Sequence, residues 1–367
     1  MSTEAPPRLG SYAPEDVTFL LTDLSGRIAE QPVEEREALL RSGARHYSET
    51  LAAERPLSPD YQSLVEGLLE STADGVAALV GILGERLWAE RGAALTLVSL
   101  ARAGTPVGIL LRRWMRWRHG VDVPHFGVSV IRDRGLDLVA MRWIAARHDA
   151  AGLRLVDGWT GKGVICREVA ASAPLLASEG VRLDPTVAVL ADPGRCTRLF
   201  ATRRDVLIPT ACLNATISGL LSRTILDRSL LGPGDFHGVA WHRHLAAADR
   251  SAAYIDLVAA RFPRVAAEVA AGVVAAEAEP PPGWEGMAET RELMAEHGIH
   301  DLNRLKPGIG EATRVLLRRV PRCVLVDPAR RDDLGHVLVL AGDRGIPVLE
   351  HRGGAYACWA VIAGEEG

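Results

Sequence analysis

An apolar run from Leu153 to Val156 ends on an acid, Asp157. Gly158-Trp159-Thr160-Gly161-Lys162-Gly163 follows, and a helical stretch begins near Lys162. That order puts a carboxylate at the carboxyl end of a buried strand and a ring of backbone N–H groups at a helix start. The same alternation recurs on both sides. Thr96–Leu100 and His125–Ile131 read as strands before it, and Val187–Leu190 and Val206–Ile208 as strands after it. Helices are expected over Val107–Trp117 and Asp137–Arg147. Strands alternating with helices at this spacing predict an α/β fold: a mostly parallel sheet with helices on both faces.

The flanks divide the chain further. Residues 1–75 read as an N-terminal extension packing on the core, with turns at Pro14 and Pro59 and a dense polar stretch from Arg41 to Glu49. A long helix is expected from Ser71 to Arg91, another over Leu213–Leu226, and a loop over Leu231–Gly238. Residues 246–283 read as a helical segment closed by Pro280-Pro281-Pro282-Gly283, a sequence that disallows helix. Residues 284–367 then form a smaller α/β domain: a helix over Met287–His297, a loop over Lys306–Gly310, a helix over Glu311–Arg319, and strands at Cys323–Val326, near Val348 and at the end.

Net charge of −4 and a pI near 6.3 give no global attraction to nucleic acid or membrane, so an RNA contact requires a local basic patch. The first residues lack the basic-then-apolar order of a signal peptide. The longest uninterrupted apolar runs, Gly75–Gly84 and Gly353–Gly364, are too short to span a bilayer. The expected location is the cytoplasm. Five scattered cysteines (Cys166, Cys196, Cys212, Cys323, Cys358) without a C-x-x-C pair fit a reducing compartment and mostly buried thiols.

Three loops follow three strands and should meet at one edge of the sheet, where open α/β sheets bind ligands. The first is Ala101-Arg102-Ala103-Gly104-Thr105-Pro106, with a bidentate guanidinium, a glycine for close approach and a hydroxyl. The second is Arg132-Asp133-Arg134-Gly135, two guanidiniums flanking an acid. The third runs from Asp157 through Gly158, Trp159, Thr160, Gly161, Lys162 and Gly163. Together they predict phosphate binding. Asn214, Ser218 and Arg223, with Asp235 and His237 from the following loop, are candidate walls of the pocket.

The loop from Asp157 to Gly163 and the loop from Leu100 to Pro106 resemble the phosphate and pyrophosphate loops of the type I phosphoribosyltransferases. The departures are Gly158 in place of a second acid and Gly163 in place of the last hydroxyl residue. More closely, Ser11–Leu21, Ser42–Glu49, Ser129–Gly135 and Gly232–Gly238 resemble the family found with bacterial tellurite-resistance and stress genes, often labelled StiP-type cysteine protease. The resemblance makes residues 76–245 a phosphoribosyltransferase-like domain. It implies transfer of ribose 5-phosphate from phosphoribosyl pyrophosphate to an unidentified acceptor, with Asp157, Arg132, Asp133 and Arg134 in catalytic roles. Arg102 to Thr105 and Gly158 to Gly163 would hold phosphates. Mg²⁺ would ride on substrate oxygens, with Asp157 a further ligand, and a homodimer is expected.

Pro307-Gly308-Ile309-Gly310-Glu311-Ala312-Thr313-Arg314, with Arg318-Arg319 and the strand from Cys323, resembles a Pelota-type RNA-binding domain. The likeness implies that Lys306, Gly308, Gly310, Arg314, Arg318 and Arg319 face RNA. Two other readings stand beside the transferase. One is a non-catalytic, nucleotide-sensing RNA-binding regulator. The other is a thiol protease, with Cys212 the better nucleophile and His237, His242 or His244 as partner.

Overall fold

The computed structural model describes residues 6–363 except 33, 34, 37, 38, 41, 44, 55, 56 and 320. Its main sheet contains β1 (Thr18–Phe19), β2 (Thr96–Ala101), β3 (His125–Ile131), β4 (Leu153–Trp159), β5 (Val187–Ala191) and β6 (Phe200–Thr202) in the order β1-β3-β2-β4-β5-β6. All five neighbouring pairs along this path are parallel, and the short strand Gly135–Leu136 adds antiparallel to β3. Parallel strands are covered on both faces, so β2, β4 and β5 are near-continuous in buried apolar residues. The chain leaves β2 in one direction for β3, then crosses back to β4. The connections after β2 and β4 therefore leave in opposite directions at the switch point of the sheet, the place where open α/β sheets bind ligands.

The helices are α1 (Pro59–Arg91), α2 (Gly104–His119), α3 (Leu138–Ala145), α4 (Val164–Ser178), α5 (Ser251–Ala259) and α6 (Phe262–Glu277). Ser58 caps α1 by accepting the N–H of Tyr61 at 3.2 Å, with Pro59 at the first helical position. Helix α1 is long and apolar enough, by length and composition, to cross a membrane, but Tyr61, Val65, Val76, Val80, Leu83 and Leu87 are buried in the core. Gly81 and Gly84 make room for the ring of Trp114, whose indole N–H donates to Glu85 at 2.7 Å.

Several expectations are corrected. Strand β4 runs on through Trp159, so Asp157 and Gly158 are strand residues, and α4 starts at Val164. The strand after β5 is Phe200–Thr202, while the expected strand Val206–Ile208 is extended chain leading to a turn at Pro209. Leu213–Leu226 is not a helix: one 3-10 turn, Ala215–Ile217, is followed by backbone at positive φ in Gly219 and Leu220.

The C-terminal part holds a second sheet, β7 (Leu305–Pro307), β8 (Pro321–Val326), β9 (Val348–Glu350) and β10 (Cys358–Ile362), ordered β7-β10-β8-β9. Helices α7 (Glu285–Glu296), α8 (Ile309–Arg318) and α9 (Gly335–Asp343) accompany it. The expected loop at Lys306 is strand β7, antiparallel to β10. This part is docked on the first: Ser58 at the head of α1 donates to Asp343 at the end of α9, at 2.9 Å.

Candidate functional site at the seam

The loops after β2 and β4 touch. A Cβ on Gly104 would lie 3.0 Å from the Cα of Asp157, so only glycine lets the two loops approach this closely. Thr105 is buried beside it, and Ala103 is the residue before α2. Arg102 donates to Leu221 O at 2.6 Å, to Glu54 at 3.3 Å and to the amide oxygen of Asn214 at 3.4 Å. Glu54 in turn accepts the N–H of Ala215 at 3.0 Å. Asp157 accepts the N–H of Gly158 at 2.8 Å, and burial pushes its carboxyl up to about 6.

The rest of the Asp157–Gly163 segment is committed to structure. Thr160 donates to Asp192 at 2.5 Å, and Asp192 is a buried carboxylate paired with Arg203. Gly161 O accepts the hydroxyl of Tyr356 at 3.0 Å. Gly163, at φ +75°, precedes α4 with Trp284 packed against it. The ammonium of Lys162 is buried and donates to the carbonyls of Leu302 and Leu305, the latter at 2.8 Å. Burial, then the neighbouring charge of Lys306, lowers it to about 7.

The C-terminal domain closes this edge. Asp205, on the first domain, accepts the N–H of Ile309 at 3.2 Å and that of Ala357 at 2.9 Å, so it caps α8 from outside. Gly308 sits against Asp205, and a side chain on Gly310 would run into the ring of Trp159. The guanidinium of Arg314 lies 4.4 Å over that same ring. Arg318 donates to the Asn214 amide oxygen already shared with Arg102. The turn and helix expected to meet RNA are thus, in this conformation, packed on the sheet edge of the first domain. Lys306 is half-buried with them, and burial lowers its ammonium.

Of the pocket-wall candidates, Asn214 and Arg223 reach the seam, and Ser218 holds the backbone carbonyl of Asn214 at 2.8 Å. Arg223 donates to the carbonyl and hydroxyl of Thr50 and stacks over Tyr47 at 5.2 Å. Arg132 covers the same ring at 5.0 Å and donates to Asn303. Asp133 and Arg134 remain exposed at the rim, Arg134 against Glu49. Asp235 is exposed and accepts the N–H of Gly232 within its own turn. His237 is buried, its ring bonded to Ser129 at 2.9 Å and its N–H to Asp137. Glu54, Thr50 and Tyr47 are site residues that sequence reasoning missed; the polar density of Arg41–Glu49 was the one signal pointing their way.

The seam carries more positive charge than its partners balance. Burial, followed by Arg102 and Arg314, holds the Arg318 guanidinium well below its ordinary value, and Arg223 is lowered to about 9 by burial and then by Arg36. Among the described residues, Nε and Nη1 of Arg223 and Nε of Arg314 are closed to solvent without a hydrogen-bond partner. Unpaired buried donors of this kind suit an anion.

All five thiols are free. Cys212, Cys323 and Cys358 are core residues, and Cys212 is fully buried. Cys196 lies against Gly161 O and Gly194 O. Cys166 alone keeps partial exposure, in the first turn of α4. Burial, then Asp192 and Asp157, pushes its thiol up to about 12. Among the described residues no histidine is hydrogen-bonded to any of these sulfurs, the expected Cys212 partners His237, His242 and His244 included.

Fold and site together define a mixed α/β protein in which the C-terminal sheet and its helices pack on the loops at the carboxyl edge of a mostly parallel sheet. The chain belongs to the family described as tellurite-like stress resistance cysteine protease StiP, which it matches over residues 10–259. Residues 284–364 match the Pelota RNA-binding domain. It is similar to cysteine protease StiP of Acinetobacter baylyi, 36% identical over 333 residues, covering 88% of this chain and 85% of the relative. No solved structure matches. These matches bear out the resemblance to the stress family and to the Pelota domain. They overturn the expected phosphoribosyl transfer: family and relative carry the name of a protease, a hydrolase rather than a glycosyltransferase. The magnesium expectation rested on that transfer's substrate.

Proposed function

We propose that this chain is a thiol-dependent peptide hydrolase acting in stress resistance, described here with its site shut. The observation that carries the reading is the placement of Cys166. It is the one thiol with access, and it stands in the first turn of a helix at the carboxyl edge of the sheet. A helix N-terminus favours thiolate, and its first N–H groups can hold an oxyanion. In the shut state burial overrides that effect and keeps the thiol protonated. Undocking the C-terminal domain would remove Trp284 and Tyr356 from the glycine loop that precedes α4 and readmit water. The parallel strand order supports a phosphoribosyltransferase-type core as an architecture, and the free thiols support a cytoplasmic setting.

The test is hydrolysis of a fluorogenic casein by wild type, Cys166→Ser and Cys212→Ser. Cleavage lost only in Cys166→Ser supports the reading. Cleavage retained in Cys166→Ser, or none in a variant with the seam opened, overturns it.

A second reading is favoured by the inward-turned arginines. The C-terminal domain binds RNA backbone through Lys306, Arg314 and Arg318, and RNA and docking compete for them.

A further inference from the structure

Outside the seam, two imidazoles and a carboxylate converge from separate parts of the chain. Glu30 lies in the short strand Glu30–Gln31, held parallel to Leu51–Ala52. His242 and His244 flank Arg243 at the start of a 3-10 turn. The backbone is fixed where it enters the turn: Trp241 donates its N–H to the hydroxyl of Ser25 at 2.8 Å, and His242 donates its N–H to Leu220 O at 2.8 Å. Nδ1 of His242 stands 3.0 Å from Oε1 of Glu30, and the two imidazole rings meet edge-on at 5.6 Å. One ligand atom from each of the three residues lies within 4.8 Å of the other two.

We propose that Glu30, His242 and His244 bind a divalent first-row transition metal of the zinc class. Two imidazole nitrogens and one carboxylate oxygen are the donor set such ions take, and hard ions such as magnesium or calcium prefer oxygen alone. Three protein ligands leave a coordination position for water or an anion, the arrangement of an open rather than a closed structural site. His242 is buried, which fixes one ligand, while Glu30 and His244 are exposed and give the ion an entry path.

The experiment is titration of chelator-treated full-length protein with Co²⁺, followed by its visible absorption, then displacement by Zn²⁺. Because His242 is buried and its loss could unfold the loop, the variants are Glu30→Gln and His244→Ala, both at exposed positions, with His300→Ala as control. The expected result is one Co²⁺ per chain with the bands of a low-symmetry nitrogen-oxygen site. Affinity should fall at least about tenfold in each ligand variant, as even outer-shell losses do, and stay unchanged in the control. Absence of stoichiometric binding, unchanged affinity in both variants, or equal loss in the control would each overturn the proposal.

Discussion

Lys162 gives the docked state a pH dependence whose sign follows from its surroundings. Its ammonium is buried at the seam, pinned to the carbonyls of Leu302 and Leu305, with Lys306, Arg132, Glu311 and Asp301 as its charged neighbours. It titrates near 7 when docked and in the ordinary lysine range, about 10.4, when solvated. Between those values the docked state binds fewer protons than the open one, so docking strengthens as pH rises through that window. Integrated from about pH 6 to about pH 9, the gain is about 2–3 kcal/mol, approaching 1.4 kcal/mol per pH unit at most. Lys162→Met removes the titration and leaves two carbonyls without their donor, a loss of about 1–3 kcal/mol. The two proteins should therefore differ most near pH 9, the variant being weaker, and converge near pH 6. Hydrogen exchange at the amides of β7 and the start of α8, corrected for intrinsic rates, reads this directly. A wild type whose protection falls from pH 6 to 9, or a variant that keeps the wild-type slope, would show that Lys162 is not the titrating pin.

Two further perturbations probe the same interface. Gly310→Ala drives a methyl into the Trp159 ring and should undock α8 without unfolding either sheet; faster alkylation of Cys166 with an unchanged far-UV spectrum is the expected outcome. Asp205→Asn keeps the size but sets an NH₂ donor against the N–H of Ile309 in place of Oδ1, while the remaining oxygen, placed as Oδ2, accepts from Ile309 and Ala357 without the carboxylate charge. A cost of about 1–3 kcal/mol, read as roughly a tenfold or greater rise in Cys166 alkylation, is expected, and a rate equal to wild type would count against Asp205 as the cap.

The parallel sheet was legible because its strands are apolar at nearly every position, a pattern that only two-sided burial explains. Strand β6 was not. Phe200-Ala201-Thr202 is three residues long and abuts Arg203 and Arg204, while the more apolar Val206–Ile208 leads into Pro209. The Leu213–Leu226 stretch has helical spacing, yet its backbone bonds run to the distant Gly238, Ala240 and Leu220–His242 pairs, which no local pattern announces. The two loops at the switch point were found from their residue types and do meet. Their partners were not: Glu54 lies 48 residues before Arg102, and Asn214 lies 104 before Arg318. A charge run on a helix names residues that need anions or acceptors, but leaves open whether solvent, RNA or the chain itself supplies them.

Here the chain supplies them, and that bears on how the two matched families can share one molecule. The N-terminus of α8 offers backbone N–H groups and a positive helix end, the arrangement that receives a phosphate. In the docked state a carboxylate, Asp205, already occupies it, and the Asn214 oxygen occupies Arg318. An RNA phosphate using the same donors would have to displace both, so its apparent affinity is reduced by the free energy of docking. By linkage RNA would weaken docking by the same factor. Burial, followed by Asp192 and Asp157, is what raises the Cys166 thiol; on the reading proposed above, opening the seam would readmit water and lower it. Occupation of the C-terminal domain by a polyanion and exposure of the thiol are then two consequences of one opening. A cell that carried this chain closed would hold a thiol that is protonated, and so inert, until the seam opened.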